Sequence, residues 1–193
     1  DEIPERRVAA TGNADTLCWT GGPPAAEREA SRMPMRADEL FVTAEKVENG
    51  LANLYKIIAS HMTDESVEEA FFLKLSGEER LHAVEPRNLH QQIQSYFEFA
   101  DLDPSVFNVM LETIDDVIDE ISEQPIDVTG SLEIVLHMEQ SAAEKFYQRF
   151  PATIPGANPD LVKRLVESCE RHAEEVQLYL EHCRETGQAG HHA

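Results

Sequence analysis

The chain has 193 residues, enough for one well-buried core and too few for two full domains. Apolar residues make up 41% and charged residues 27%, proportions that favour a soluble globular class over a disordered or membrane one. Sixteen basic residues against thirty-seven acidic ones leave a net charge of −21, a field that repels phosphate backbones, argues against nucleic acid as a partner and reads first as a solvated surface.

Residues 1–36 gather Gly21, Gly22, Pro23, Pro24, Arg28, Arg32 and Pro34 without a sustained apolar period, and read as an N-terminal extension or arm. Trp19, beside Cys18, is its one anchor candidate. Asp1 to Arg7 are charged rather than signal-like, and no apolar run approaches the roughly 20 residues that cross a bilayer. Cys18, Cys169 and Cys183 are odd in number and form no Cys-x-x-Cys pair, which argues against a disulfide framework or a zinc knuckle and for a reducing compartment. The expectation is a soluble cytoplasmic protein without a membrane partner.

From Asp38 to Met62, residues Leu40, Ala44, Val47, Leu51, Leu54 and Ile58 recur at steps of three and four, the mark of one buried helical face. Thr63 and Asp64 offer N-cap oxygens to a second helix carrying Val67, Phe71, Leu75, Leu81 and Val84. Pro86 removes the amide that would bond the His82 carbonyl, so a break is expected just past that histidine, before the pattern resumes through Leu89, Ile93 and Tyr96. Asp103 and Pro104 open a connector helix with Val106, Met110, Ile114, Val117 and Ile121 in register, closed by Gln124 and Pro125.

A third long helix spans about Gly130 to Phe150 with Leu132, Val135, Leu136, Ala143 and Phe146 inward. Asn158, Pro159 and Asp160 start a fourth, which carries Leu165, Val176 and Leu180 until Gly187 ends it. No segment shows a convincing period of two. The fold class expected is all-α: a four-helix bundle over 37–186 with one long crossover carrying a short helix, followed by a tail over 187–193.

The interior stripes of these helices hold residues that a core avoids. Glu48 lies on the buried stripe of the first helix, with Tyr55 two turns on. Glu79 and His82, three apart on the Leu75 face, direct a carboxylate and an imidazole to one interior region. Glu139 repeats the oddity four residues after Val135, and His172 follows Leu165 by seven just as His82 follows Leu75, as if a helix pair were used twice. The repeat breaks where Cys169 occupies the position of a second glutamate. Burying carboxylates costs several kcal/mol per ion unless cations, protons or shared hydrogen bonds compensate, and divalent metal does so most simply. Carboxylates with imidazoles on facing helices make the ligand set of a di-iron or di-manganese site.

At Glu48 and Tyr55 in VENGLANLYKIIA, at Glu79 and His82 in GEERLHA, at Glu139 in LEIVLHMEQSAAEKFY and at His172 in ERHAEE, the chain resembles the rubrerythrin-like branch of the ferritin-like superfamily. The resemblance covers about residues 38–185 and lacks the paired Cys-x-x-Cys motifs of a rubredoxin domain. It implies a bundle that binds one or two irons, manganese being the other metal of this chemistry, and that reacts with a small oxidant, peroxide or dioxygen. It also implies a homodimer or larger homo-oligomer.

The expected metal ligands are Glu48, Glu79, His82, Glu139 and His172, with Glu175 or Cys169 completing the set. For Cys169 three readings stand: a small buried hydrophobe, a site completed instead by Glu175, and a thiolate ligand or oxidisable residue. Tyr55 and Tyr147 read first as core aromatics with one satisfied hydroxyl, and Tyr55 and Cys169 are the candidates for a redox role. Tyr147 stands one residue further from Glu139 than Tyr55 from Glu48, which calls for Phe146 or a helix irregularity in its place. His61, His90, His137, His182, His191 and His192 read as surface residues. The alternative class is a ferritin-like scaffold whose metal site has decayed, serving as a binding or assembly module.

Overall fold

A computed structural model describes residues 37–63, 66–92, 105–124, 126–141 and 159–186. The chain divides between Met33 and Pro34, and every described residue lies in the second unit. The expected arm and tail, with Trp19, Asp103, Pro104, Ala143, Phe146 and Tyr147, fall outside the described residues. Among the described residues all regular structure is helical: α1 (Ala37–Ser60), α2 (Val67–His82), α3 (Val84–Gln92), α4 (Ser105–Glu123), α5 (Val128–Glu139) and α6 (Pro159–Thr186). None of these helices is long and apolar enough to cross a membrane.

α1 is the centre of the packing. Its buried residues Leu40, Phe41, Ala44, Val47, Leu51, Leu54, Tyr55 and Ile58 extend over more than one stripe, because α2, α3 and α4 all lie against it. Each large side chain removed from water in this way contributes about 1.5–3 kcal/mol. Gly50 allows α4 to come close, since a β-carbon there would stand 3.3 Å from Ile114 Cδ1. On α2 the Ser76 hydroxyl donates to the Ala52 carbonyl of α1 at 2.7 Å, so a short polar side chain holds the two helices together inside the core.

The second helix differs from expectation at its start and on its face. Its N-cap is Ser66, not Thr63 or Asp64: the Ser66 oxygen accepts from the Glu69 amide at 3.0 Å, and Glu69 three residues on completes the Ser-x-x-Glu pattern of a capping box. Its buried side is Phe72, Leu75, Ser76, Glu79 and His82, whereas Val67, Leu81 and Val84 are exposed and Phe71 half-buried. The turn from Phe71 to Phe72 rotates the face by about 100°, and that rotation carries Val67 and Leu81 to solvent. The break past His82 is present. Ala83 caps α2, its amide donating to the Glu79 carbonyl at 2.9 Å, and α3 begins at Val84.

Among the described residues the crossover contains two helices rather than one short one. α3 has nine residues and α4 nineteen, with Met110, Ile114 and Ile121 buried as their period requires. α5 is capped by Asp127, whose side chain accepts from the Gly130 amide at 2.7 Å, and its regular turns end at Glu139 before a turn at Gln140. Leu132 and Val135 are buried and Leu136 is half-buried.

Cross-helix contacts set the directions of the helices. From α2 to α6, Phe71 meets Tyr179, Lys74 meets Glu175 and Glu79 meets His172, so numbers rise on one helix as they fall on the other. From α5 to α6, Glu133 meets Arg184 and Glu139 comes toward His172, again antiparallel. α1 and α2 pack closely across the short turn at 61–66 and are antiparallel as well. α1 and α6 therefore run one way and α2 and α5 the other, an order that obliges the α3–α4 connection to travel the length of the bundle.

Candidate metal centre

Four helices contribute to one interior cluster. α1 brings Tyr55, α2 brings Glu79 and His82, α5 brings Glu139 and α6 brings His172, all buried. Glu79 is the hub. Its Oε2 lies 3.0 Å from His82 Nδ1 and its Oε1 lies 2.6 Å from His172 Nδ1, so one carboxylate faces two imidazoles with one oxygen each. The two rings stack with centroids 4.8 Å apart and planes inclined by 27°. Glu139 Oε2 stands 3.8 Å from the same His172 Nδ1, while its Oε1 accepts a hydrogen bond from the Tyr55 hydroxyl at 2.7 Å.

These contacts differ from an ordinary buried hydrogen-bond network. Glu79 Oε1 and both ring nitrogens of His172 are buried and make no aligned hydrogen bond, although carboxylate oxygens stand 2.6 and 3.0 Å from the two nitrogens. Glu79, His82 and His172 each present a ligand atom, all within 4.8 Å of one another. Bonds of about 2.0–2.2 Å to one tetrahedral ion place ligand atoms roughly 3.3–3.6 Å apart, so the most separated of these atoms would draw together by up to about 1.5 Å to share one. Hard oxygen with imidazole nitrogen is the donor chemistry of iron, manganese and zinc. The residues fit a cation.

The electrostatics agree with the geometry. Burial alone would raise the Glu79 carboxyl, but contact with His172 and His82 and their charges outweigh it and hold the group far below its ordinary value of 4.5. Burial would likewise lower His172, and Arg171 adds to that. Contact with Glu79, its charge and then that of Glu78 overcome both and raise the imidazole above 6.5. Proton and carboxylate thus stabilise each other across the α2–α6 seam where a metal would otherwise supply the positive charge.

Glu48 is wholly buried on α1, about two turns before Tyr55. Glu175 is not part of the cluster: it pairs with Lys74 and lies 3.9 Å from Arg171 on the half-exposed side of α6. The side chain of Cys169 falls outside the described residues. Of the histidines expected at the surface, His137 and His182 are exposed and His61 is half-buried. Among the described residues, Glu78 is a neighbour of His172 that sequence reasoning missed, with Oε2 at 3.0 Å from Nε2. Its only signal is its place beside Glu79 in GEERLHA. Comparison with family models, curated proteins and solved structures returns no match for this chain.

Proposed function

We propose that the chain is a non-haem iron protein of the ferritin-like, rubrerythrin-like kind, oxidising Fe(II) with peroxide or dioxygen in peroxide removal or iron handling. The observation that carries this reading is the Glu79 carboxylate set between His82 and His172, with Glu139 beside the second imidazole. The helix order lends support, because two antiparallel pairs joined by one bundle-length crossover are the arrangement on which ferritin-like carboxylate sites are built. Manganese satisfies the same donors, and a homo-oligomer belongs to the same reading.

The residues divide the work as follows. Glu79, His82 and His172 would hold the metal, Glu139 would add a further carboxylate, and the wholly buried Glu48 is the reserve ligand on α1. A bound iron supplies electrons and Lewis acidity to the oxidant. Tyr55 holds one oxygen of Glu139, which leaves Oε2 turned toward His172. His172 would shed its proton when a cation takes its place in the charge balance. The surrounding Leu, Ile and Phe side chains keep bulk water from the centre and strengthen each of these interactions.

The second reading is a helical scaffold or assembly module without a working centre. It is favoured by the mutual compensation of Glu79 and His172, which satisfies the buried charges with no metal at all. Metal analysis after anaerobic Fe(II) loading, followed by an absorption scan on adding peroxide, separates the two. Near-stoichiometric iron and a new absorption band support the iron protein; substoichiometric iron with no band supports the scaffold.

A further inference from the structure

We infer that the outward face of α2 is the contact surface for a second copy of this chain, the two α2 helices lying antiparallel about a two-fold axis between Lys74 and Gly77. This surface is independent of the metal reading. The buried side of α2 is Phe72, Leu75, Ser76, Glu79 and His82. At about 100° per residue, Val67, Ala70, Lys74, Gly77 and Leu81 stand on the opposite side, and all five are exposed. They follow one another at steps of three, four, three and four, the spacing that presents a straight seam to a second helix. Ala83 keeps right-handed helical dihedrals, so the seam runs on to the exposed Val84, the first residue of α3. Val67 and Leu81 leave 72% and 69% of their surface to solvent. Four of the seven large apolar side chains exposed among the described residues, Val67, Leu73, Leu81 and Val84, lie on this seam or beside it. A contiguous apolar surface of this kind marks a protein contact.

Charge selects the occupant. Two chains of net charge −21 repel wherever their carboxylates meet. The exposed residues of α2 are Val67, Ala70, Leu73, Lys74, Gly77, Arg80 and Leu81, with two cations and no carboxylate among them. By contrast, α4 exposes Glu112, Asp115, Asp116, Asp119, Glu120 and Glu123. Copies therefore meet through α2 at the lower electrostatic cost. A parallel pair would set Lys74 against the partner's Lys74 inside the seam. In the antiparallel pair Val67 meets the partner's Val84, Ala70 meets the partner's Leu81 and Lys74 meets the partner's Gly77, large against small at two of the three levels. The Lys74 ammonium is drawn aside to Glu175, so its apolar stem is what the seam presents. That stem has room over the glycine, where a β-carbon would meet nothing within 4 Å. A single lysine at a seam position fixes register in this way. The same arrangement brings Glu68 and Glu69 of the first turn to the level of the partner's Arg80 in the last, and opposes the two helix dipoles.

Sedimentation of the 193-residue chain, alone and with single substitutions, tests the surface and its register. The parent is expected to be a dimer at micromolar concentration. Leu81→Lys and Ala70→Glu each place a charge in the seam, twice over by symmetry, and each is expected to weaken the dimer at least about 100-fold. Mixed in equal amounts, the two variants are expected to regain a dimer. The new carboxylate on one copy then faces the new ammonium on the other, while the second level of the seam keeps Ala70 against Leu81. Both positions are exposed, and helicity by circular dichroism shows whether each variant is folded. Should a charge disturb the helix, Leu81→Gln is expected to weaken the dimer by about 10-fold or more. A parent that stays monomeric at tens of micromolar, a dimer that survives the substitutions, or a mixture that stays monomeric would overturn the inference.

Discussion

Replacing Glu79 by glutamine keeps the volume of the hub and removes its charge. In the metal-free protein the carboxylate makes two contacts with imidazoles, at 2.6 and 3.0 Å, in an interior where it is 2% exposed. A hydrogen-bonded contact to a charged group contributes about 1.5–3 kcal/mol, but the amide retains part of one contact and His172 escapes a bare buried charge by releasing its proton. The expected net loss is about 2–4 kcal/mol, roughly 4–16 °C in melting midpoint for a chain of this length.

The loss has a defined pH window. His172 is raised above 6.5, so its contribution is complete below that value and disappears as pH rises through the folded-state value. Glu79 is lowered from 4.5, so its contribution is present above that value and disappears as pH falls through the folded-state value. Between pH 4.5 and 6.5 both are in force, and there the parent and the variant differ most. At high pH the difference shrinks to about 1 kcal/mol, the net worth of a neutral hydrogen bond. Urea unfolding of both proteins across pH, with matched slopes, measures this. A loss that does not change with pH, or a variant as stable as its parent, would refute the charge pairing.

Tyr55→Phe removes the buried donor to Glu139 Oε1 and is expected to lower the stability of the metal-free protein by about 1.5–3 kcal/mol in thermal or urea unfolding; an unchanged midpoint contradicts it. Gly77→Ala adds a β-carbon with nothing within 4 Å on an exposed turn of α2, and is expected to stabilise by about 0.5–1 kcal/mol without altering metal affinity. Metal affinity is expected to fall as pH falls through the raised value of His172, because proton and cation compete for that ring, with a matching release of protons on binding in calorimetry. Added Fe(II) at a hundredfold excess over its dissociation constant should stabilise the parent by about 2.7 kcal/mol and leave Glu79→Gln nearly unmoved.

The buried polar residues were legible because a charge on an apolar stripe stands out. Glu48, Glu79, His82, Glu139 and His172 each interrupt a spacing of three and four that otherwise runs apolar, and all five are buried. The face of α2 was not legible. It carries few apolar residues, two adjacent phenylalanines leave the direction of the stripe open, and the buried Ser76 looks like a surface residue until the Ala52 carbonyl is placed opposite it. The start of that helix was ambiguous among several cap-type residues, and only the reach from Ser66 to the Glu69 amide settles it. Glu78 was invisible for a different reason. One residue from Glu79 it points about 100° away around its own helix, and it comes beside an imidazole only because α6 delivers His172 to it.

His82 and Glu139 are each the last helical residue of their helix. Carbonyls that end a helix carry the negative pole of its dipole, equivalent to about half an elementary charge. Two such poles lie close to the carboxylates of Glu79 and Glu139. A protonated histidine is at ease in that position, whereas a glutamate is placed against the field. On the reading proposed above, the backbone ends of two helices add to the side chains in favouring a cation over a further anion at this point.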